Sequence, residues 1–465
     1  MSLQIIRPSL GGEPLDSADH QTLIGVAGQS VATVFTAPPL LVHLSLRRLG
    51  RADVTAVSAG LFSEAGRRFA TEVLDGLTPQ EYCHRAASAS GVPVSVYTRA
   101  LNSIRAELEH LDAVASRPSA DPSPGPAGVD AVVCRVPRGR VLTVICPSNH
   151  PEPHVTWVRG LAAGYRVLVR PGSADPFTPN RLSAALVEAG LSAERLAVLP
   201  SAHATADLLV RSADRAIVYG GPAAVRRWSG HPSVLVRGPG FSKALLAGSG
   251  PATESLLGHL ADAVAGDGGV RCTNLSVIRT AGDTQALAQA LAARLSARPV
   301  HPVTEPQAIL PAVPVAVAEA VRDQLGRLLA SGLVDESGYT GDSFVTASDG
   351  SLIARPVVLS APSGVEVPEV ELPFPFVIVA PWQAEDGLEP LRNSLVLNLL
   401  TEPAEAAGPA GAGPLARAHL EPSIRKLVHG AIPPWSTAPG LPHDGSLDDF
   451  LLEPKTVLKR ASREQ

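Results

Sequence analysis

Arg140-Val141-Leu142-Thr143-Val144-Ile145 runs directly into Cys146-Pro147-Ser148-Asn149-His150-Pro151. The first segment is short, apolar and rich in β-branched residues, which reads as a buried strand. The second is a turn of prolines and small polar residues that stops the strand abruptly. The same cadence repeats downstream. Residues 155–163 carry a helical pattern, 165–170 a strand, and 178–190 a helix closed by glycine. Residues 196–199 read as a strand, 202–212 as a helix, 216–219 as a strand ending at Gly220-Gly221, and 222–229 as helical. Short apolar strands alternating with helices of about a dozen residues predict an α/β chain built on an open, largely parallel sheet. Ligands of such sheets bind at the carboxyl ends of the strands, where Asn149, Arg170 and Gly220-Gly221 all fall.

Working outward, residues 63–116 look helical, with Ala65, Phe69, Val73 and Leu74 near one face and Leu101, Ile104, Leu108 and Leu111 repeating the spacing. These are expected to be packing helices. Residues 1–60 are mixed and offer no usable motif. A Pro/Gly/Ser loop is expected over 117–129, followed by a strand at 131–136. Beyond the central cadence the pattern predicts helices at 254–265, 284–297 and 315–331. Strands are expected at 352–360, 374–382 and 454–458, and a surface loop at 402–414.

One further stretch carries chemistry: Gly268-Gly269-Val270-Arg271-Cys272-Thr273-Asn274. Glycines on one side and small polar residues on the other place Cys272 on a tight, accessible turn. Such a thiol is a candidate nucleophile where backbone donors or a nearby positive charge favour its thiolate. The other cysteines (Cys83, Cys134 and Cys146) are scattered, with no Cys-x-x-Cys pair and no histidine at metal-ligand spacing, so no metal site is expected. The chain has 465 residues, 45% of them hydrophobic and 18% charged, which is room for two or three globular lobes. A net charge of −5 without a basic run argues against nucleic acid or an anionic membrane as the main partner. Residues 1–12 lack the pattern of a signal peptide, and no apolar run approaches the roughly 18 residues that span a bilayer. A reduced cytoplasmic enzyme is the expectation.

Taken in order, these landmarks resemble the aldehyde dehydrogenase superfamily. Arg135-Val136-Pro137-Arg138-Gly139-Arg140-Val141 and Ile145-Cys146-Pro147-Ser148-Asn149-His150-Pro151 look like the family's Pro-x-Gly-x-Val strand and Pro-Trp-Asn-x-Pro loop. Val167-Leu168-Val169-Arg170-Pro171 is similar to its Val-Leu-Lys-Pro strand end, and Val218-Tyr219-Gly220-Gly221 to its Phe-Thr-Gly-Ser turn. Gly269-Val270-Arg271-Cys272-Thr273 looks like the Gly-Gln-x-Cys nucleophile loop. Glu371-Leu372-Pro373-Phe374-Pro375 resembles the Glu-x-Phe-Gly-Pro loop, and Glu453-Pro454-Lys455-Thr456-Val457 the C-terminal strand. The resemblance implies an aldehyde dehydrogenase-like α/β fold with a Rossmann-type cofactor domain, an α/β catalytic domain and a small β oligomerisation element. It sets the cofactor domain at 1–240, with strands 129–145 partly in the oligomerisation element. The catalytic domain would cover 241–430, and residues 431–465 would return to the cofactor domain and the oligomerisation strand. A homodimer or homotetramer is implied in the same way.

By the same resemblance, Cys272 is the nucleophile and Asn149, with the Cys272 backbone N–H, the oxyanion hole. Ile145, Pro147, Arg170, Ser173, Gly220, Gly221, Glu371 and Phe374 would contact the nicotinamide cofactor. Arg170 would meet the adenosine ribose or its phosphate, Gly220-Gly221 would pass the pyrophosphate, and Glu371 would bind the nicotinamide ribose. Ser173 stands where the family's NAD-selecting acid would fall, so NADP(H) is expected over NAD(H).

The chain also departs from the family. Hydrolytic members usually carry a glutamate in a Glu-Leu-Gly-Gly-Lys motif that activates water, whereas the aligned stretch here is Leu235-Val236-Arg237-Gly238-Pro239-Gly240-Phe241. Without that carboxylate a Cys272 thioester is poorly hydrolysed and must leave by another route. The stretches Arg170 to Thr178 and Tyr219 to Gly221 look most like the acyl-CoA reductase branch, the fatty acid reductases of bacterial luciferase systems. The expected activity is therefore NAD(P)H-dependent reduction of an acyl thioester, on coenzyme A or carrier-protein phosphopantetheine, to an aldehyde. The alternatives are oxidation of an aldehyde to an acid with Glu152, His150 or His154 as base, reduction of an acyl phosphate, and a non-catalytic binding protein.

Overall fold

The computed structural model describes residues 3–51, 57–115, 120–123, 129–339, 342–400, 414–438 and 441–460. Strand Val141–Ile145 is buried along its whole length and sits near the middle of a seven-stranded sheet. The order is Val234–Arg237, Arg215–Tyr219, Val141–Ile145, Arg166–Arg170, Leu196–Val198, Ser9–Leu10, Glu13–Pro14. The first five strands run parallel, and the two N-terminal strands close the edge antiparallel. Alternate side chains of a strand face opposite sides of its sheet. Leu142 and Val144 accordingly pack with Trp157, Leu161 and Leu182, while Val141 and Ile145 pack with Val42, Leu49 and Leu209. A strand covered on both faces has to be apolar throughout, which explains the uninterrupted run in the sequence.

This sheet also fixes where a ligand can sit. From Val141–Ile145 the chain moves one way, to Arg166–Arg170 and Leu196–Val198, then crosses back to Arg215–Tyr219 on the other side. Connections that diverge from one strand leave a crevice at its carboxyl end. Ile145 lies there, paired with Arg170 on one side and Val218 on the other.

After Arg237 only residues 238–241 lead into a second seven-stranded sheet. Its order is Val334–Asp335, Val357–Ser360, Phe376–Pro381, Leu275–Thr280, Ser242–Leu246, Ser394–Leu399, Ile424–His429, all parallel except the first. Helices Glu254–Ala265 and Thr284–Ser296 cover one face, and Val315–Ala330 the other. A smaller antiparallel sheet joins Leu452–Arg460, Val129–Pro137 and Ala120–Ser123, with Leu452 opposite Pro137 and Arg460 opposite Val129. Among the described residues no helix is long and apolar enough to cross a membrane.

Several sequence expectations change here. Residues 352–360 form two strands, Leu352–Ala354 and Val357–Ser360, in different sheets. Pro356 lacks the N–H a ladder needs and restricts Arg355, so the run breaks between them. Val73 is exposed while Leu74 is buried, because helix Leu61–Thr71 ends at Glu72, which is extended, and the helical period stops with it. Within the expected loop at 117–129, Ala120–Ser123 forms a strand; residues 116–119 and 124–128 lie outside the described residues. The loop expected at 402–414 also falls outside them, apart from residue 414. Residues 1–60, which offered no motif, contain five short strands and the helix Pro39–Arg51.

Candidate active site

Helix Glu254–Ala265 delivers the chain into the turn that carries Cys272. Asp267, Gly268 and Gly269 are successively left-handed, with φ of 53°, 78° and 69°, and this reverses the chain. A Cβ at Gly269 would lie 2.5 Å from the Pro375 nitrogen, so glycine is needed where the Glu371–Pro375 loop packs on this turn. Asn274 completes the bend. Its Oδ1 accepts the Arg271 N–H at 2.8 Å, and its Nδ2 donates to the Ala263 and Gly266 carbonyls at 3.1 Å each.

The turn is bound to the Asn149 loop by charge. Asp267 accepts from Arg271 Nε at 2.5 Å, contacts His150 Nε2 at 3.1 Å, and pairs with Arg99. Arg271 Nη1 reaches Glu152 at 2.9 Å, and Glu152 accepts from Ser103 Oγ at 2.8 Å. Burial works to raise the Asp267 carboxyl, but His150, Arg271 and Arg99 hold it well below the usual carboxylate range. Asn149 itself is exposed and donates one amide N–H to the Val270 carbonyl at 2.7 Å. A primary amide has two such hydrogens, so this bond anchors the side chain and leaves the other free to face a substrate oxygen.

Around the sulfur the structure gathers residues from four separate stretches. His443 Nε2 is 3.7 Å from Cys272 Sγ. The Cys272 carbonyl accepts from Ser242 Oγ at 2.9 Å and closes against Gly240, where a Cβ would come within 1.9 Å of it. Glu371 Oε1 accepts the Gly240 and Phe241 N–H groups at 2.9 and 2.7 Å. Arg237 Nη1 pairs with Asp444 Oδ1 at 2.6 Å, with both side chains largely buried. Burial pushes the thiol up to about 12, Glu371 and Asp444 add to the rise, and Arg237 and Arg271 oppose it. Burial likewise lifts Glu371 to about 7 against its two backbone donors and Lys243.

His443 and Asp444 were not singled out from the sequence. They lie in a stretch of prolines and glycines without periodicity, and the contact spans 171 residues. What holds this stretch in place is visible only in three dimensions. Lys426 Nζ donates to the Pro434 carbonyl at 2.9 Å, Asn398 Nδ2 to Ile432 at 3.0 Å, and the Trp435 ring lies on Gly266. The bases considered in their place are engaged elsewhere. His150 and Glu152 belong to the Asp267–Arg271 network, and His154 is fully buried, accepting from Trp157 Nε1 at 3.3 Å, with burial taking it down to about 3.

The residues expected to hold a dinucleotide divide. Ile145, Pro147, Arg170, Gly220 and Gly221 stand at or just beyond the carboxyl ends of three adjacent strands, and Ser173 is exposed in the next turn. Arg170 Nη2 donates to the Ser201 carbonyl at 2.9 Å, yet Arg170 Nε and Ser201 Oγ are buried without a protein partner. A Cβ on Gly221 would meet nothing within 4 Å. Unpartnered polar atoms and an open glycine turn at the carboxyl ends of neighbouring strands fit a polyhydroxylated, phosphorylated group. The Gly220 N–H donates to the Arg237 carbonyl at 3.1 Å, which joins this crevice to the Cys272 site. Phe374 is a correction: it is 1% exposed, packed edge-to-face on Phe344 at 6.0 Å in the core beneath helix Val315–Ala330, and cannot touch a cofactor. The local reason is the Pro373-Phe374-Pro375 sequence, in which the aromatic takes the buried position just before strand Phe376–Pro381.

The fold is that of the aldehyde dehydrogenases. Aldehyde dehydrogenase 21 from Physcomitrella patens, solved with the product succinate, superposes with a TM-score of 0.81 over 100% of both chains at 13% identity. Gamma-glutamyl-gamma-aminobutyraldehyde dehydrogenase from Burkholderia cenocepacia J2315 gives 0.80 over 99% of this chain and 97% of its own, at 18% identity. An indole-3-acetaldehyde dehydrogenase complexed with NAD+ gives 0.79 over 99% and 97%, at 16% identity. One family model also matches part of the chain. The family described as acyl-CoA reductase (LuxC) matches residues 128–235, the stretch from the Val129–Pro137 strand past Asn149, Arg170 and Gly220-Gly221. No curated protein matches the chain in sequence. Fold and family match together support an NAD(P)-dependent oxidoreductase acting at the aldehyde level.

Proposed function

We propose that the protein reduces an acyl thioester to an aldehyde with NAD(P)H, through an acyl group carried on Cys272. The observation that carries this reading is Arg237. It stands in the stretch, residues 235–241, that resembles the glutamate motif of hydrolytic relatives, and its guanidinium, already paired with Asp444, cannot accept a proton. The acyl-CoA reductase match over residues 128–235 points the same way.

Cys272 supplies the nucleophile, and the free N–H of Asn149 with the Cys272 backbone N–H supports the oxyanion; one such donor is worth about 3 kcal/mol in a transition state. The Asp267–Arg271–Glu152 network keeps the two loops in register, so these groups do not have to reorganise as charge develops. When bound, the nicotinamide supplies hydride to the acyl carbon. Arg170 and Ser201 are the groups that would hold its adenosine end, Gly221 leaves room for the pyrophosphate, and Glu371 lies close enough to Cys272 to reach the nicotinamide ribose. NADPH is favoured over NADH in this reading, because Ser173 offers no charge to repel a 2′-phosphate and Arg170 can pair with it.

The co-substrate thiol is coenzyme A or a carrier-protein phosphopantetheine. The assembly belonging to this reading is a homodimer or homotetramer pairing through Val129–Pro137 and Leu452–Arg460, with a cofactor domain over 1–240, a catalytic domain over 241–430 and a returning C-terminal segment. Four unpaired cysteines suit a reducing, cytoplasmic setting.

The test is a panel of acyl-CoA thioesters with NADPH and with NADH, beside aldehydes with the oxidised cofactors. Thioester-dependent oxidation of NAD(P)H that vanishes in Cys272→Ala is the expected result. Aldehyde formation retained in that variant, or acid formation from aldehydes with no thioester turnover, overturns the reading.

A further inference from the structure

An acyl transfer at Cys272 requires a group to take the sulfur's proton and return it, and the resemblance that suggested the nucleophile supplies no such group here. Burial together with Glu371 and Asp444 raises the thiol to about 12, so the resting group is the protonated thiol. The surrounding titratable groups are otherwise engaged. Glu371 holds two backbone N–H groups, Asp444 holds Arg237, and Glu152 and His150 sit in the Asp267–Arg271 network. The imidazole of His443 is in contact with the sulfur itself, at 3.7 Å, and the next residue, Asp444, is fixed by its 2.6 Å pair with Arg237.

We infer that His443 is the acid–base catalytic residue of Cys272, and that its Nε2 carries the proton between the nucleophile and the thiol that leaves. This rests on the acyl-transfer reading above. As the Cys272 sulfur bonds to the thioester carbonyl carbon, Nε2 takes the Sγ proton. The carbon–sulfur bond to the departing thiol then breaks, its electron pair stays on that sulfur, and Nε2 returns the proton to it. No electrons are exchanged in this half. After hydride from the nicotinamide has reached the acyl carbon, the Cys272–carbon bond breaks with its pair on Sγ, the carbonyl of the aldehyde forms, and a solvent proton borne by Nε2 restores the thiol.

The imidazole is suited to begin as the base. Burial lowers its proton affinity, Asp444 raises it, and Arg237, Lys426 and Arg271 lower it again, so the ring is neutral at neutral pH. These four charged groups, with Cys272 itself, are the ones that face it. Acylation is therefore expected to climb with pH through a value below that of an ordinary histidine and then level off.

The experiment follows the acyl adduct on Cys272 by rapid acid quench and intact mass, with acetyl-, octanoyl- and palmitoyl-CoA, in wild type, His443→Gln and His443→Ala. Removing the acid–base group is expected to slow adduct formation by about 10² to 10⁴-fold and to erase the low-pH limb. Added imidazole is expected to restore a measurable rate to His443→Ala, which a merely structural role would not allow. NADPH binding, followed by fluorescence, and the melting temperature report whether the variants are folded. Adduct formation in His443→Gln within about threefold of wild type across the pH range overturns the inference while leaving the function intact. Wild type that forms no adduct with any thioester overturns both. Wild type that forms the adduct but releases acid in place of aldehyde overturns only the reductive reading, and His443 is still judged by the acylation rate.

Discussion

Gly240 offers the sharpest test of the idea that packing beneath Cys272 sets its reactivity. A Cβ at this position would stand 1.9 Å from the Cys272 carbonyl oxygen and 3.1 Å from Leu395 Cδ2. Carbon and oxygen approach each other to about 3.3 Å, so Gly240→Ala has to move the Cys272 loop and the 238–241 connection apart by more than about 1 Å. The Ser242 Oγ bond to the Cys272 carbonyl, 2.9 Å long, lies in the path of that movement. Losing it costs about 1 kcal/mol, and overpacking against backbone adds about 1–3 kcal/mol, giving about 2–4 kcal/mol of destabilisation. For the chemistry, a 1 Å misplacement of a reacting group is worth about 10²-fold in rate. The assay is the formation of acyl-Cys272 by quench and mass, with the melting temperature taken alongside. Gly221→Ala is the contrast. Gly221 has an extended backbone (φ −76°, ψ −168°) and open space around it, so alanine there leaves stability and acylation unchanged. If a pyrophosphate runs past Gly221, the same variant weakens NADPH binding. Gly240→Ala that melts with wild type and acylates within about threefold of it would refute the reasoning.

Substitutions at two further positions probe the charges at the site. Asp267→Ala removes the hub shared by His150, Arg271 and Arg99, and breaking a largely buried pair of this kind is expected to cost about 3–5 kcal/mol, read from denaturant unfolding. Because the His150 hydrogen bond and the two guanidiniums hold the Asp267 carboxyl below its ordinary range, its contribution is present above the unfolded value near pH 4 and is lost as pH falls through the folded one. The stability gap between wild type and Asp267→Asn therefore narrows in acid. Glu371 has the opposite sign. Its folded value of about 7 lies above the unfolded value of 4.5, so the native state binds the extra proton and stability declines as pH rises across that window. Glu371→Gln keeps an oxygen for the Gly240 and Phe241 N–H groups while abolishing that decline. It also removes a negative charge from beside the thiol, and iodoacetamide is expected to alkylate Cys272 faster in this variant at neutral pH.

The parts of the molecule legible in the sequence are those where local pattern and global structure agree. Strands such as Val141–Ile145 and Arg166–Arg170 are buried along their whole length and mostly apolar because both faces are covered, and their helices had to follow at short intervals. Where a proline interrupts, as at Pro356 and Pro375, the pattern of apolar residues overran the ladder the backbone could make. Cys272 and Asn149, the proposed nucleophile and oxyanion donor, could be singled out because each sits in a turn whose glycines or prolines mark it. Phe374 was misplaced because its neighbours matched a loop motif, whereas its own side chain answers to the core. His443 and Asp444 left no trace, since nothing in a Pro/Gly-rich stretch reports that Lys426, Asn398 and Trp435 will hold it across the catalytic turn.

The arrangement of charge around Cys272 bears on why such a site would hold its proton donor on a separate segment. Two carboxylates, Glu371 and Asp444, and two guanidiniums, Arg237 and Arg271, all act on the sulfur, and with burial the balance leaves the resting group a thiol. A permanent thiolate would attack readily, but it would bring no proton to the reaction, and the departing thiol has to be given one in a closed site. A neutral imidazole at 3.7 Å answers both demands, because the proton it takes on attack is the one required at departure. Had the water-activating carboxylate been present in place of Arg237, a second base would stand over the same acyl carbon and compete for it. Arg237 instead pairs with Asp444, next to His443, at 2.6 Å. On the proposed mechanism, the absence of the glutamate and the presence of the histidine belong together: the acyl group would move between sulfur and hydride, and water would be given no partner.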